Sequence, residues 1–143
     1  MYLPSLASLL VASGYGLTVG VISDMHTNLL YDATVDPADK CWSTGSTKAE
    51  TPAAWARFGC DPSPDLVDAM LQRMSETFGK PDVLLVTGDF VNHGISLHRE
   101  DATAQSIQNV KDNIAATNAL VKKHFGDCLV LTLLGNNDAE YHG

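Results

Sequence analysis

The sequence predicts an α/β fold built on a mostly parallel central sheet, and three observations carry that expectation. Short apolar runs at 17–23, 83–87 and 128–134 have the length and β-branched content of strands. Each run stops at a polar loop, respectively Asp24-Met25-His26, Gly88-Asp89 and Gly135-Asn136-Asn137-Asp138. Two amphipathic helical patterns separate the runs, and the alternation of strand and helix implies right-handed crossovers that keep the strands parallel. In open sheets of this kind ligands bind at the carboxyl ends of the strands, where the loops converge without being covered by helices.

The chain has 143 residues, 45% of them hydrophobic, which is enough for one ordinary core. Its 9 basic and 17 acidic residues give a net charge of −8, which repels phosphate backbones. A nucleic-acid polymer is therefore not an expected partner. Four of the acids, Asp24, Asp89, Asp138 and Glu140, fall in or beside the strand-end loops, where cations would offset them. At the amino terminus, residues 3–11 are largely apolar and Ala12-Ser13-Gly14 follows, small residues of the kind that precede a signal-peptidase cut. Residues 1–14 are thus expected to be a signal peptide and 15–143 the folded domain. No Lys or Arg precedes Lys40, so a packed amino-terminal segment is the alternative. A run of about nine residues is too short to span a bilayer.

After His26 the chain loses periodicity for roughly thirty-five residues, and a loop that long needs an anchor. Cys41 and Cys60 lie inside it. Pairing them would close a loop of about twenty residues, worth roughly 3 kcal/mol in the chain-entropy account. The other reading is two unrelated buried thiols; the spacing fits no zinc motif. Cys128 lies in an apolar run and reads as a small core residue rather than a nucleophile.

The first helix is expected to start at Ser63-Pro64-Asp65, with Ser as cap, Pro at the first helical position and an acid in the first turn. Val67, Met70, Leu71, Met74 and Phe78 recur at helical spacing and read as core, before Gly79 and Pro81 end the helix. The run 83–87 then reads as a strand covered on both faces, after which Gly88 turns the backbone and presents Asp89. A second helix is expected over about 101–125, with Ile107, Val110, Ile114, Val121 and Phe125 on one face. Lys122, Lys123 and His124 complement its carboxyl-terminal dipole, His124 as a surface residue.

Asp24 and His26 are two apart, so in an extended segment both side chains point the same way. A carboxylate with a neutral imidazole suits zinc, iron or manganese better than magnesium or calcium. With Asp89 and Asn136 at two further strand ends, the pattern reads as a metal site, and Asp89, in the middle, is the natural bridge between two ions about 3.5 to 4 Å apart.

This set of motifs resembles the calcineurin-like metallophosphoesterases, whose pattern is Asp-x-His, then Gly-Asp, then Gly-Asn-His-Asp or Glu. Within that group, protein phosphatases carry Arg at the fourth place after the bridging Asp and purple acid phosphatases carry Tyr at the third. Here the third is Asn92 and the fourth His93. Those residues, and the cysteine-bearing loop after the first motif, are similar to the acid sphingomyelinase-like phosphodiesterases. The resemblance covers about residues 17–142.

The resemblance implies a metallophosphoesterase-type α/β sandwich, here its amino-terminal half only, because later motifs that supply further histidines have no counterpart. It implies a metal-dependent phosphodiester hydrolase, secreted or lysosomal, that uses two divalent ions, zinc expected, to activate water for in-line attack on phosphorus. Asp24 and His26 would hold one ion, Asp89 would bridge, Asn136 would hold the second, and His93 would protonate the leaving oxygen or stabilise its charge. The usual His after the Asn of the third motif is Asn137 here, which leaves His93 and His142 as proton donors. The substrate would be a phosphodiester of a lipid or a nucleotide, and a lipid would bring transient contact with a membrane surface. A phosphomonoesterase is the alternative chemistry, and a non-catalytic truncated product the alternative from another class.

Overall fold

In the computed structural model, whose described residues are 16–95 and 103–139, the apolar runs form β1 (Val19–Ile22), β2 (Val83–Val86) and β3 (Leu129–Thr132). They pair in parallel in the order β1-β2-β3, with Val21 opposite Leu85 and Leu85 opposite Leu131. Because side chains alternate along a strand, this register puts Ile22, Leu84 and Val86 on one face. All three are buried in one cluster with Val67, Leu71, Val110, Val121 and Phe125 of the helices.

Helix α1 (Pro64–Phe78) begins as its sequence predicts: the Ser63 hydroxyl accepts the Leu66 N–H at 3.3 Å, with Pro64 in the first turn. It stops at Gly79, whose φ of 73° is open to a residue without a Cβ. Helix α2 (Ala104–Phe125) is capped by Thr103, whose hydroxyl accepts the Ser106 N–H at 3.0 Å while Ser106 Oγ accepts the Thr103 N–H at 2.8 Å. The expected start near Asp101 lies outside the described residues, as does the expected signal segment 1–14.

Four expectations need correction. Phe78 is 62% exposed rather than core. In the last turn of the 15-residue helix it lines an open depression with Thr18, Val19 and Gly20 at the start of β1, which leaves most of its ring to water. Ile107, in the first turn of α2, is exposed as well: the described core cluster takes up α2 only from Val110 onward. His124 is not a surface residue: its Nε2 lies 2.6 Å from Asp68 Oδ1, beside Lys123 Nζ at 2.7 Å from Oδ2, and the three tie the end of α2 to α1. The hydrogen bonds from Lys123 and His124 hold the Asp68 carboxyl below its usual range. Finally, cover on both faces of β2 is not what the described residues provide. The face carrying Val83 and Leu85 is half-buried, and its neighbours Leu129 and Leu131 on β3 are exposed.

The long loop has structure of its own. Residues Tyr31 and Trp42, and Val35 and Lys48, form isolated antiparallel bridges around a short 3-10 helix, Pro37–Asp39. Asp39 Oδ2 accepts the N–H groups of Thr47 and Ser46 at 2.7 and 2.9 Å, bonds that hold its carboxyl below the usual range. Cys41 and Cys60 are disulfide-bonded, 19 residues apart in sequence. Cys128 is a free thiol whose pKa burial pushes up, which fits a packing residue. Replacing Cys41 and Cys60 together by Ser should cost about 3 kcal/mol, which at an m of about 1 to 3 kcal/mol/M should lower the urea midpoint by roughly 1 to 3 M. An unchanged midpoint would show that the cross-link does not constrain the unfolded chain.

Candidate metal centre at the strand ends

Beyond β1 and β2 the two segments stay zipped. The N–H of Asp24 donates to Gly88 O at 3.2 Å, that of His26 to Asp89 O at 2.9 Å and that of Thr27 to Phe90 O at 2.9 Å. The backbone that does this is not extended, contrary to the expectation from spacing. Asp24, His26 and Asp89 have φ of 57°, 40° and 55°, a left-handed region that non-glycine residues seldom occupy. Such conformations persist only where surrounding bonds over-determine them, and they gather at functional sites.

The third loop locks against the second by contacts that tolerate no side chain. A Cβ on Gly88 would collide with the backbone of Gly135, and one on Gly135 would collide with Asp89. Asp138 completes the lock: its Oδ1 accepts the N–H groups of Phe90 and Val91 at 2.9 and 3.0 Å, and its Oδ2 accepts that of Gly135 at 2.9 Å. The N–H of Asn137 donates to Asp89 Oδ1 at 2.9 Å. A buried carboxylate satisfied by three backbone donors is structural glue, a role that sequence position alone did not reveal.

Ligand atoms of Asp24, His26 and Asp89 lie within 4.8 Å of one another. His26 Nε2 is 3.8 Å from Asp24 Oδ1 and 3.8 Å from Asp89 Oδ2, too long for hydrogen bonds. The other ring nitrogen, Nδ1, is 2.9 Å from Val91 O. A carbonyl only accepts, so Nδ1 carries the proton and Nε2 offers its lone pair to the space between two carboxylates. Three electron-rich groups aimed at one point repel unless a cation sits among them. Donors each about 2.1 Å from one ion, at angles of about 110° to 130°, stand roughly 3.4 to 3.8 Å apart, and the two His26 separations of 3.8 Å lie at the upper end of that span.

Of the other expected residues, Asn136 is exposed on the loop that touches Asp89, and Asn137 contributes its backbone. Glu140 and His142 lie outside the described residues. His93 stacks on His26, with ring centroids 4.1 Å apart and planes at 29°, so it flanks the cluster from outside. Its ring lines a depression of about 370 Å³ together with Lys40, Gly59, Cys60 and Asp61. Asp61 is a site residue that the sequence reading missed; an acid held between a half-cystine and a proline, Cys60-Asp61-Pro62, was the available signal.

Comparison with known proteins agrees with this geometry. The chain is 32% identical over 117 residues to acid sphingomyelinase-like phosphodiesterase 3b of Mus musculus, covering 82% of this chain and 24% of that protein. It is 28% identical over 117 residues to the protein of that name from Homo sapiens. To sphingomyelinase phosphodiesterase C of Dictyostelium discoideum it is 31% identical over 122 residues, 26% of that protein. The chain thus spans about a quarter of the length of the curated relatives it matches. The profile described as Calcineurin-like phosphoesterase matches residues 17–143, from two residues before β1 through all three strand-end loops. With that match and a parallel sheet that carries Asp24, His26 and Asp89 to one edge, the chain belongs to the calcineurin-like phosphoesterase family.

Proposed function

We propose that residues 15–143 are the amino-terminal part of a catalytic domain that hydrolyses phosphodiesters with divalent metal ions. The observation that carries this reading is the bare Nε2 of His26 facing two carboxylates, an arrangement that calls for a cation. Asp24, His26 and Asp89 would hold one ion, and Asp89 with Asn136 a second. One imidazole among carboxylates suits zinc, iron or manganese, with zinc our choice. When bound, such ions supply Lewis-acid activation of water and of phosphate oxygens. What the chain itself contributes is placement: Asp138 and the paired glycines fix the three loops, and Val91 O fixes the His26 tautomer. His93, beside the ligands, would give its proton to the leaving oxygen.

The relatives' names point to a sphingolipid phosphodiester as substrate, with a nucleotide phosphodiester as the other member of the class. The disulfide suits an oxidising compartment, and we assign the protein to the secreted or lysosomal space. The open apolar face of β3 and the quarter-length match support further polypeptide covering the sheet in the active protein.

Equilibrium dialysis tests the metal centre without needing turnover. The chain should retain at least one zinc ion, and Asp24→Ala with His26→Ala should release it. A chain that retains no divalent ion would end the proposal. In the full-length polypeptide, bis-nitrophenyl phosphate should be hydrolysed faster than nitrophenyl phosphate; the reverse order would make the protein a phosphomonoesterase.

A further inference from the structure

We infer that Asp61 is the positioning residue for His93, a role that rests on the phosphodiesterase reading of this site. His93 needs such a residue. Its side chain is 63% exposed, so packing does not fix the ring, and stacking on His26 restrains one face only. A solvated imidazole with two free torsions would spend much of its time in rotamers that point away from a bound phosphodiester.

One carboxylate removes that freedom at two points. Asp61 Oδ2 accepts the backbone N–H of His93 at 2.6 Å, and Asp61 Oδ1 lies 2.9 Å from the ring nitrogen Nδ1 of the same residue. Gripping a residue by its main chain and its ring closes a cycle that holds the first side-chain torsion. The carboxylate is an acceptor, so Nδ1 is a donor and Nε2 is left as the nitrogen available to a substrate; as a general acid the ring gives the second proton, the one its imidazolium form carries on Nε2. The same logic orients His26, where a carbonyl takes the place of the carboxylate.

Asp61 is itself immobilised, which a positioning group must be. Cys60 on one side is tied to Cys41. Pro62 on the other restricts Asp61 to extended backbone. The carbonyl of Pro62 accepts the Asn28 N–H at 2.9 Å, and Ser63 caps α1 directly after it. Disulfide, proline and helix start thus aim one carboxylate across 32 residues of sequence at the loop leaving β2. The Asp61 side chain is only 19% exposed, sheltered from exchange with water.

Nitrogen-15 NMR of the histidine rings, run on the zinc-loaded chain, reads orientation without turnover. Wild type should show His93 protonated at Nδ1; Asp61→Ala should shift His93 toward the Nε2–H tautomer and leave the His26 signals in place. In the full-length polypeptide, Asp61→Ala should lower kcat on an alkyl phosphodiester by about 10- to 100-fold with KM and metal content unchanged, and largely spare a nitrophenyl one. Asp61→Ala added to His93→Ala should cost little more than His93→Ala alone. Asp61→Asn, which keeps one acceptor oxygen, should recover part of the loss. Additive losses, equal losses on both substrates, or an unmoved His93 tautomer would each overturn the role. If wild type hydrolyses no phosphodiester, the proposed activity fails, and the NMR tautomer alone decides whether Asp61 orients His93.

Discussion

Asp89→Asn is expected to remove metal binding and hydrolysis together while the domain stays folded. The substitution keeps the shape, keeps an oxygen to accept the Asn137 N–H, and keeps a residue type that tolerates the φ of 55° at this position. What it deletes is the charge at the centre of the cluster, on the one ligand proposed to serve both ions. Removing one preorganised charge-stabilising donor costs about 10²- to 10³-fold in kcat, and because the metal is lost with the charge the loss here should reach at least the upper end, about 10³-fold. Dialysis against zinc and a phosphodiester assay on the full-length polypeptide check it, with thermal unfolding as the control for folding. Retained zinc and retained rate would place the metal centre elsewhere.

His93→Ala should produce the second-largest effect, and a selective one. A general acid matters in proportion to how poor the leaving group is, and its contribution is typically about 10² to 10⁴-fold. Hydrolysis of an alkyl phosphodiester should fall within that range, whereas a nitrophenyl ester, whose leaving group departs unaided, should be nearly spared. Zinc content should not change, because His93 stands outside the Asp24, His26 and Asp89 cluster. Equal losses on both substrates, or loss of zinc, would recast His93 as a structural residue or a ligand.

Much of this was legible in the sequence because it is local. The cap at Ser63, the stop at Gly79 and the strand of β2 each follow from neighbours within a few positions. So do the motifs, which crowd three strand ends with carboxylates and an imidazole. The parts that were not legible depend on partners far away. Asp138 reads as one more loop acid until Phe90 and Val91 donate to it from 48 and 47 residues away. His124 reads as a dipole-matched surface residue until Asp68 arrives from the other helix. Phe78 obeys the helical period, but period reports which way a residue faces and not how completely its neighbours cover it. The apolar run at 128–134 continues past Thr132 into exposed Leu133 and Leu134, so hydrophobicity overstated the length of β3.

The left-handed backbone at Asp24, His26 and Asp89 has an evolutionary reading. Each such residue costs on the order of 1 to 3 kcal/mol, and in the absence of a cation the neighbouring carboxylates add their repulsion. Stability alone therefore favours Gly or Asn at these positions. A laboratory selection for heat resistance run in chelator should erode the site first, because there it is a burden on the fold. The same selection run with zinc should preserve it, since an ion bound only by the folded chain adds roughly 2.7 kcal/mol at a hundred times its dissociation constant. The environment in which the protein is selected, and not the fold by itself, decides whether these three residues are a weakness or an anchor.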